Sequence, residues 1–364
     1  GASAHRGPLE GTAGPARISL QHSGVGQSGY EVHDEYVTAA TVDYFNRLGV
    51  ARRSGQSTEP FCLTVGFMLP HQPFVARRQD FDRYRGRMTL PSHPLPFSDE
   101  LHPHFQAWRR QTGIETVSDE EVLCARTAYW ALVTSLDRML GQIVAALHAN
   151  DLAENTLIVY TSDHGEQVGE HGLWWKQTFY EQSVRVPGVL SWPGVLRAGT
   201  RSRRIVSALD LVATILDALH APPLPTANGR SLLGLLTNAA DHTRWEDQAF
   251  SEYCTDDGSY QRMLRQGPWK LNYYHGQPSQ LFNLEADPNE LHDCAGEPAF
   301  QSVRADLTRQ LLGGWDPRQI AETMARKRQE GQLLAAWVRQ VRPPDQYRWD
   351  MLPEMNYLDE GPAR

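Results

Sequence analysis

Apolar positions along the 364 residues switch several times between a helical period and the short runs of strands. Tyr36, Val37, Ala40, Tyr44 and Leu48 fall on one face at helical spacing, which predicts a helix over 33–48 with Gly49 as the residue that ends it. Phe61 to Met68 is a short apolar run that reads as a strand and stops on Leu69-Pro70-His71-Gln72-Pro73-Phe74. Ser118-Asp119-Glu120-Glu121 has the form of a capping box, and the apolar residues from Val122 to Leu147 keep a helical period. Leu157, Ile158 and Val159, bounded by Asn155 and Gly165, suit a buried strand of a parallel sheet. Val189 to Trp192 is a further strand, and Ser207 caps a helix that runs to His220 before Pro222-Pro223. This alternation predicts an α/β fold, a mostly parallel sheet sandwiched by helices.

The pattern changes after about residue 245. Segments 248–253, 260–265, 268–274 and 280–284 are short and separated by Asp-, Gly- and Pro-rich breaks, which predicts a small carboxyl-terminal antiparallel subdomain. A helix is expected over 317–340, followed by an extended arm. Residues 1–29, rich in Gly, Ala and Ser, read as a loose segment, and 75–117 as an irregular excursion of the kind that often carries function. The expected divisions are therefore 1–29, 30–245, 246–316 and 317–364.

A net charge of −8 offers no broad positive field, so neither nucleic acid nor an anionic membrane is the expected partner. No apolar run approaches the ~20 residues of a membrane-spanning helix. Cys62, Cys124, Cys254 and Cys294 form no CxxC pair and read as free thiols. The absence of an Asn-x-Ser/Thr sequon disfavours a glycosylated secreted protein, and a cytoplasmic or periplasmic, bacterial-type location is expected.

Candidate chemistry gathers where apolar runs stop. Asp163 and His164, in Ser162-Asp163-His164-Gly165, offer a carboxylate and an imidazole at the carboxyl end of a strand, where open α/β sheets bind ligands. By itself such a pair is more often an ordinary turn. His71 also follows a strand, although a histidine between prolines is usually a loop residue. Lys176 lies among Trp174, Trp175, Phe179 and Tyr180, whereas most lysines are solvated and these tryptophans suit a core equally well.

The order Ser-Asp-His-Gly, then Gly169, Glu170, Leu173 and Lys176, then Tyr180 to Pro187, resembles the sulfatase family of the alkaline phosphatase superfamily. His164, where Asn is more usual, is similar to the branch of choline sulfatases and phosphonate monoester hydrolases. Leu281-Phe282-Asn283-Leu284 with Asp287-Pro288-Asn289-Glu290 resembles the segment that closes such domains. The resemblance implies an alkaline phosphatase-like fold, with Asp163 and His164 as half of the ligand set of one divalent metal ion, Ca²⁺ or Mn²⁺. It implies that His71 and Lys176 bind the transferred group of a small anionic ester and assist its cleavage. The family's nucleophile is a formylglycine in Cys-x-Pro-Ser-Arg or a Ser-x-Pro-x-Arg serine, and neither motif occurs here, nor does the acidic pair that completes the metal site. Both are expected on an amino-terminal segment of the same protein outside these residues. Hydrolysis of sulfate monoesters is the implied activity, with phosphonate monoester or phosphodiester hydrolysis as the alternative. A noncatalytic binding or structural partner is the alternative of another class. Choline sulfatases also suggest that the terminal arm joins subunits into a homo-oligomer.

Overall fold

A computed structural model describes residues 7–237, 245–255, 258–342 and 352–359. The amino-terminal stretch is not the loose segment its composition suggests. Helix α1 (Ile18–Gln21) leads into strand β1 (Gly24–Gln27), whose neighbours on its two edges are Val75–Ala76, parallel, and Tyr357–Leu358, antiparallel. Gly26 permits this closure, because a Cβ there would collide with the carbonyl of Tyr357.

Helix α2 (Gly29–Arg53) begins where the Ser28 hydroxyl accepts the Glu31 N–H at 3.3 Å. It runs through Gly49, the residue expected to end it, because Asn150 packs so closely that any Cβ would overlap its side chain. Glycine here serves helix contact and not termination.

Residues 61–68 are extended, as the apolar run predicts, yet they join no ladder. Phe61, Val65 and Phe67 turn toward the cluster of Phe45, Ile143 and Leu147, while Cys62, Leu63, Thr64, Gly66 and Met68 are exposed, so the period of a strand holds from Thr64 to Met68 and breaks at Leu63. No backbone N–H or C=O from Pro60 to Phe67 is hydrogen-bonded among the described residues. The run is held at its end by Asp34 of α2, whose fully buried carboxylate accepts the N–H groups of Met68 at 2.9 Å and Leu69 at 2.8 Å. Asp34→Ala leaves both N–H groups unpaired and should destabilise this chain by about 2–4 kcal/mol in urea unfolding. A loss under about 0.5 kcal/mol, the usual size of a surface substitution, would contradict the anchoring role.

The excursion that follows is only partly irregular: it holds strand β2 (Val75–Ala76), helix α3 (Arg78–Asp82) and helix α4 (Pro103–Thr112). Helix α5 (Asp119–Ala149) starts with the predicted capping box, in which Ser118 and Glu121 satisfy each other's backbone N–H groups. Its Ala125, Ala128, Ala131 and Leu132 are completely buried and form the centre of the largest core cluster with Phe74, Ile114 and Trp175.

Strand β3 (Ile158–Thr161) pairs antiparallel with strand β4 (Gly188–Ser191), and the short helix α6 (Glu181–Val184) lies between them in sequence. Helix α7 (Ala208–Ala218) is capped by Ser207 as expected, and helix α8 (Leu233–Thr237) follows. Strands β5 (Gln248–Cys254), β6 (Tyr260–Gln266), β7 (Trp269–Tyr274) and β8 (Gln280–Asn283) form a separate antiparallel meander in that order. Helix α9 (Gln301–Leu312) buries Leu307 and Leu311 against it. Helix α10 (Pro317–Val341) has no buried residue, and strand β9 (Tyr357–Leu358) pairs with β1 of its own chain. Much of the expected arm lies outside the described residues. The architecture is thus α/β with a carboxyl-terminal antiparallel sheet.

Candidate active site

Two segments end at the same place. The run 61–68 leads into His71, and β3 leads into Asp163 and His164. The imidazoles of His71 and His164 meet edge to face with centroids 6.4 Å apart. Lys176 reaches in from the loop before α6, its Nζ 3.2 Å from His71 Nε2. Asp163 Oδ2 lies 3.4 Å from His164 Nε2, and its carboxylate attracts both Lys176 and His71. The four residues singled out in the sequence are therefore brought together.

Backbone carbonyls decide both tautomers. His71 Nδ1 donates to Gln72 O at 2.8 Å, which leaves Nε2 as an acceptor for the Lys176 ammonium. His164 Nδ1 donates to Gly165 O at 2.8 Å, so its Nε2 lone pair is free beside the Asp163 oxygens. A ring nitrogen fixed in this way and a carboxylate 84 % exposed on its side chain fit a divalent cation. Burial lowers His71 to a pKa of about 4, and the Lys176 charge pushes the same way. Burial also lowers Lys176, opposed by Asp163 and Glu166. Because the folded His71 resists protonation more than the unfolded chain, its contribution to stability is lost as pH falls from about 6.5 toward about 4. In the folded chain, the His71 ring signals in NMR should not titrate between pH 7 and 5. A midpoint near the free value of about 6.5 would contradict the buried, neutral ring.

The loop carrying Lys176 is built from within. Glu166 accepts the N–H groups of Trp175 at 2.5 Å and Val168 at 3.3 Å. Desolvation raises it to about 7 even though those bonds and Lys176 favour its charge. Ser183 of α6 holds both sides of the site, its carbonyl accepting Gly165 N–H at 2.7 Å while its hydroxyl donates to Trp175 O at 3.4 Å. Helix α6 is in turn tied to the antiparallel sheet, where Glu290 accepts the Glu181 N–H at 2.7 Å and pairs with the fully buried Lys270 at 2.8 Å. Trp174 and Trp175 are core residues, 1 % and 0 % exposed, and supply a rigid floor.

Sequence reading missed Asp34, Glu166 and the Lys270–Glu290 pair. Glu166 directly follows Gly165 and was within reach of the motif, whereas an inward-facing Asp34 looks like any helical aspartate. Four further histidines have structural partners: His171 is buried and stacks on Tyr180 at 3.9 Å, His33 contacts Asp34 at 3.0 Å, and His102 and His104 pack near Tyr274.

The α/β fold with an appended antiparallel sheet, carrying an Asp-His pair at a strand end beside a His-Lys pair, places the chain in the alkaline phosphatase superfamily. Within it the chain belongs to the sulfatase family, whose model matches residues 6–221, and the N-sulphoglucosamine sulphohydrolase C-terminal model matches 169–314. It is 35 % identical over 262 residues to a choline-sulfatase of Rhizobium meliloti, covering 70 % of this chain and 50 % of that protein. It is 32 % identical over 281 residues to arylsulfatase K of Mus musculus, covering 70 % of this chain and 49 % of that protein. Among solved structures, a phosphonate monoester hydrolase from Silicibacter pomeroyi is similar with a TM-score of 0.65 and 27 % identity, over 75 % of this chain and 58 % of that one. The chain spans about half the length of the curated relatives it matches.

Proposed function

We propose that this chain forms part of a sulfatase that hydrolyses sulfate monoesters, with Asp163 and His164 holding a divalent cation and His71 and Lys176 gripping the transferred group. The observation that carries this reading is the 3.2 Å contact between His71 and Lys176, which arrive from separate segments beside the Asp163–His164 pair. A cation bound there supplies positive charge toward the nonbridging oxygens of the ester. Oxygen donation by Asp163 suits Ca²⁺, and the imidazole of His164 suits Mn²⁺. Lys176 adds a fixed positive charge in a partly desolvated pocket, where it acts more strongly than in water on charge that develops during transfer. Its proton, shared toward neutral His71, is placed for delivery to a departing alkoxide oxygen. The nucleophile, by family resemblance a formylglycine, belongs to a segment of the same protein outside these 364 residues.

A second reading, phosphonate monoester hydrolysis, is favoured by the structural likeness to the Silicibacter pomeroyi enzyme, and the same residues would grip either tetrahedral anion. Comparing kcat/KM of the intact protein on an aryl sulfate and an aryl phosphonate monoester separates the two. Faster sulfate cleavage supports the first reading, faster phosphonate cleavage the second, and no turnover of either points to a noncatalytic partner.

A further inference from the structure

We propose that His104 is a positioning residue for Lys176, holding the carbonyl just after the lysine while Gln261 of the antiparallel sheet holds His104. The catalytic role of Lys176 itself rests on the sulfatase reading.

Three contacts line up. In the first turn of α4, His104 Nε2 donates to the Gln177 carbonyl at 3.2 Å. Its Nδ1 accepts from Gln261 Nε2 at 3.3 Å, and the same amide nitrogen also donates to Ser259 Oγ at 2.6 Å. An amide donor at Nδ1 leaves the ring proton on Nε2, so a neutral His104 aims its one N–H at the loop. Gln261, on β6, is buried, and the imidazole packs 5.2 Å from the Tyr274 ring. The start of α4 is fixed as well, because His102 Nε2 donates to the Pro278 carbonyl between β7 and β8 at 2.7 Å.

Lys176 depends on such a hold. Its ammonium rides on a flexible four-carbon stem, so the 3.2 Å contact with His71 Nε2 requires a fixed backbone. Before the lysine, Trp175 takes a left-handed φ of 65°, a costly conformation for any residue but glycine. That turn is secured where Glu166 accepts the Trp175 N–H and the Trp175 carbonyl accepts the Gln167 N–H at 3.0 Å. After the lysine, Gln177 accepts the Lys176 N–H on its side-chain Oε1 at 3.1 Å, and its carbonyl is the one His104 takes. Lys176 is therefore clamped between two fixed carbonyls, one held by its own loop and one by α4. The function expected of the 75–117 excursion falls on this helix.

The test uses the intact protein and two replacements for the imidazole, one that keeps a donor and one that does not. His104→Leu should lower kcat on the cleaved ester by about 10- to 100-fold, the scale of a misplaced catalytic group, with KM little changed. His104→Gln, whose amide N–H still reaches the Gln177 carbonyl, should restore most of the rate. On a Lys176→Met background His104→Leu should cost nothing further, because the group it positions is gone. A crystal structure of His104→Leu should show Lys176 Nζ drawn out of hydrogen-bond reach of His71 Nε2. Gln261→Met should lower kcat by about 2- to 10-fold, the worth of one hydrogen bond, and carries the same tests if His104→Leu does not fold. Equal rates for the Leu and Gln variants, losses that multiply with Lys176→Met, wild-type kcat in Gln261→Met, or an unchanged Lys176–His71 contact would overturn the assignment. If the contact opens but the wild-type protein cleaves neither ester, the positioning stands and the sulfatase reading fails.

Discussion

Lys176→Met in the intact protein should lower kcat for an aryl sulfate by about 10²–10⁴-fold, the range spanned by loss of one general acid or one transition-state charge. The substitution keeps most of the apolar stem of this half-buried side chain, so the melting temperature should hardly move. A fall in kcat with little change in KM identifies an interaction made mainly in the transition state. If KM alone rises, Lys176 contributes only to ground-state binding. Lys176→Arg should rescue poorly, because a planar guanidinium cannot replace a point charge set 3.2 Å from His71 Nε2.

Asp163→Asn together with His164→Gln should abolish metal binding in the intact protein, since even a group that only orients a coordinating side chain is worth about 10–100-fold in affinity. Isothermal titration with Mn²⁺ or Ca²⁺ reads this directly. Both positions are partly or largely solvent-facing at the rim, and the double variant should fold normally. Retention of native affinity would place the cation elsewhere. Chelation of the wild-type protein should remove activity, and re-adding the better-bound cation should restore it.

The family, the α/β class and the rim were legible because their signals are local. An apolar run stops on Asp163, a capping box opens α5, and short Gly- and Pro-bounded strands mark the meander. Features that depend on residues far apart were not legible. Strand β1 looked loose because its composition is Gly- and Ser-rich, while its order comes from Val75–Ala76 and from Tyr357–Leu358, more than three hundred residues away. Gly49 has the sequence signature of a helix end, and only the approach of Asn150 explains its place inside α2. Asp34 carries no local mark at all, yet it fixes the chain just before His71. The strand at 61–68 was correctly read as extended, but periodicity says nothing about whether a ladder partner is at hand.

Sulfate ester hydrolysis at this site requires His71 and Lys176 to work as one catalytic unit beside Asp163 and His164. The direct measurement is kcat/KM of the intact, metal-loaded protein on an aryl sulfate for His71→Ala, Lys176→Met and the double variant. Paired residues that share a proton should be strongly non-additive, the double variant losing about as much as the worse single one. Losses that simply multiply, or a double variant as active as the wild type, would contradict it.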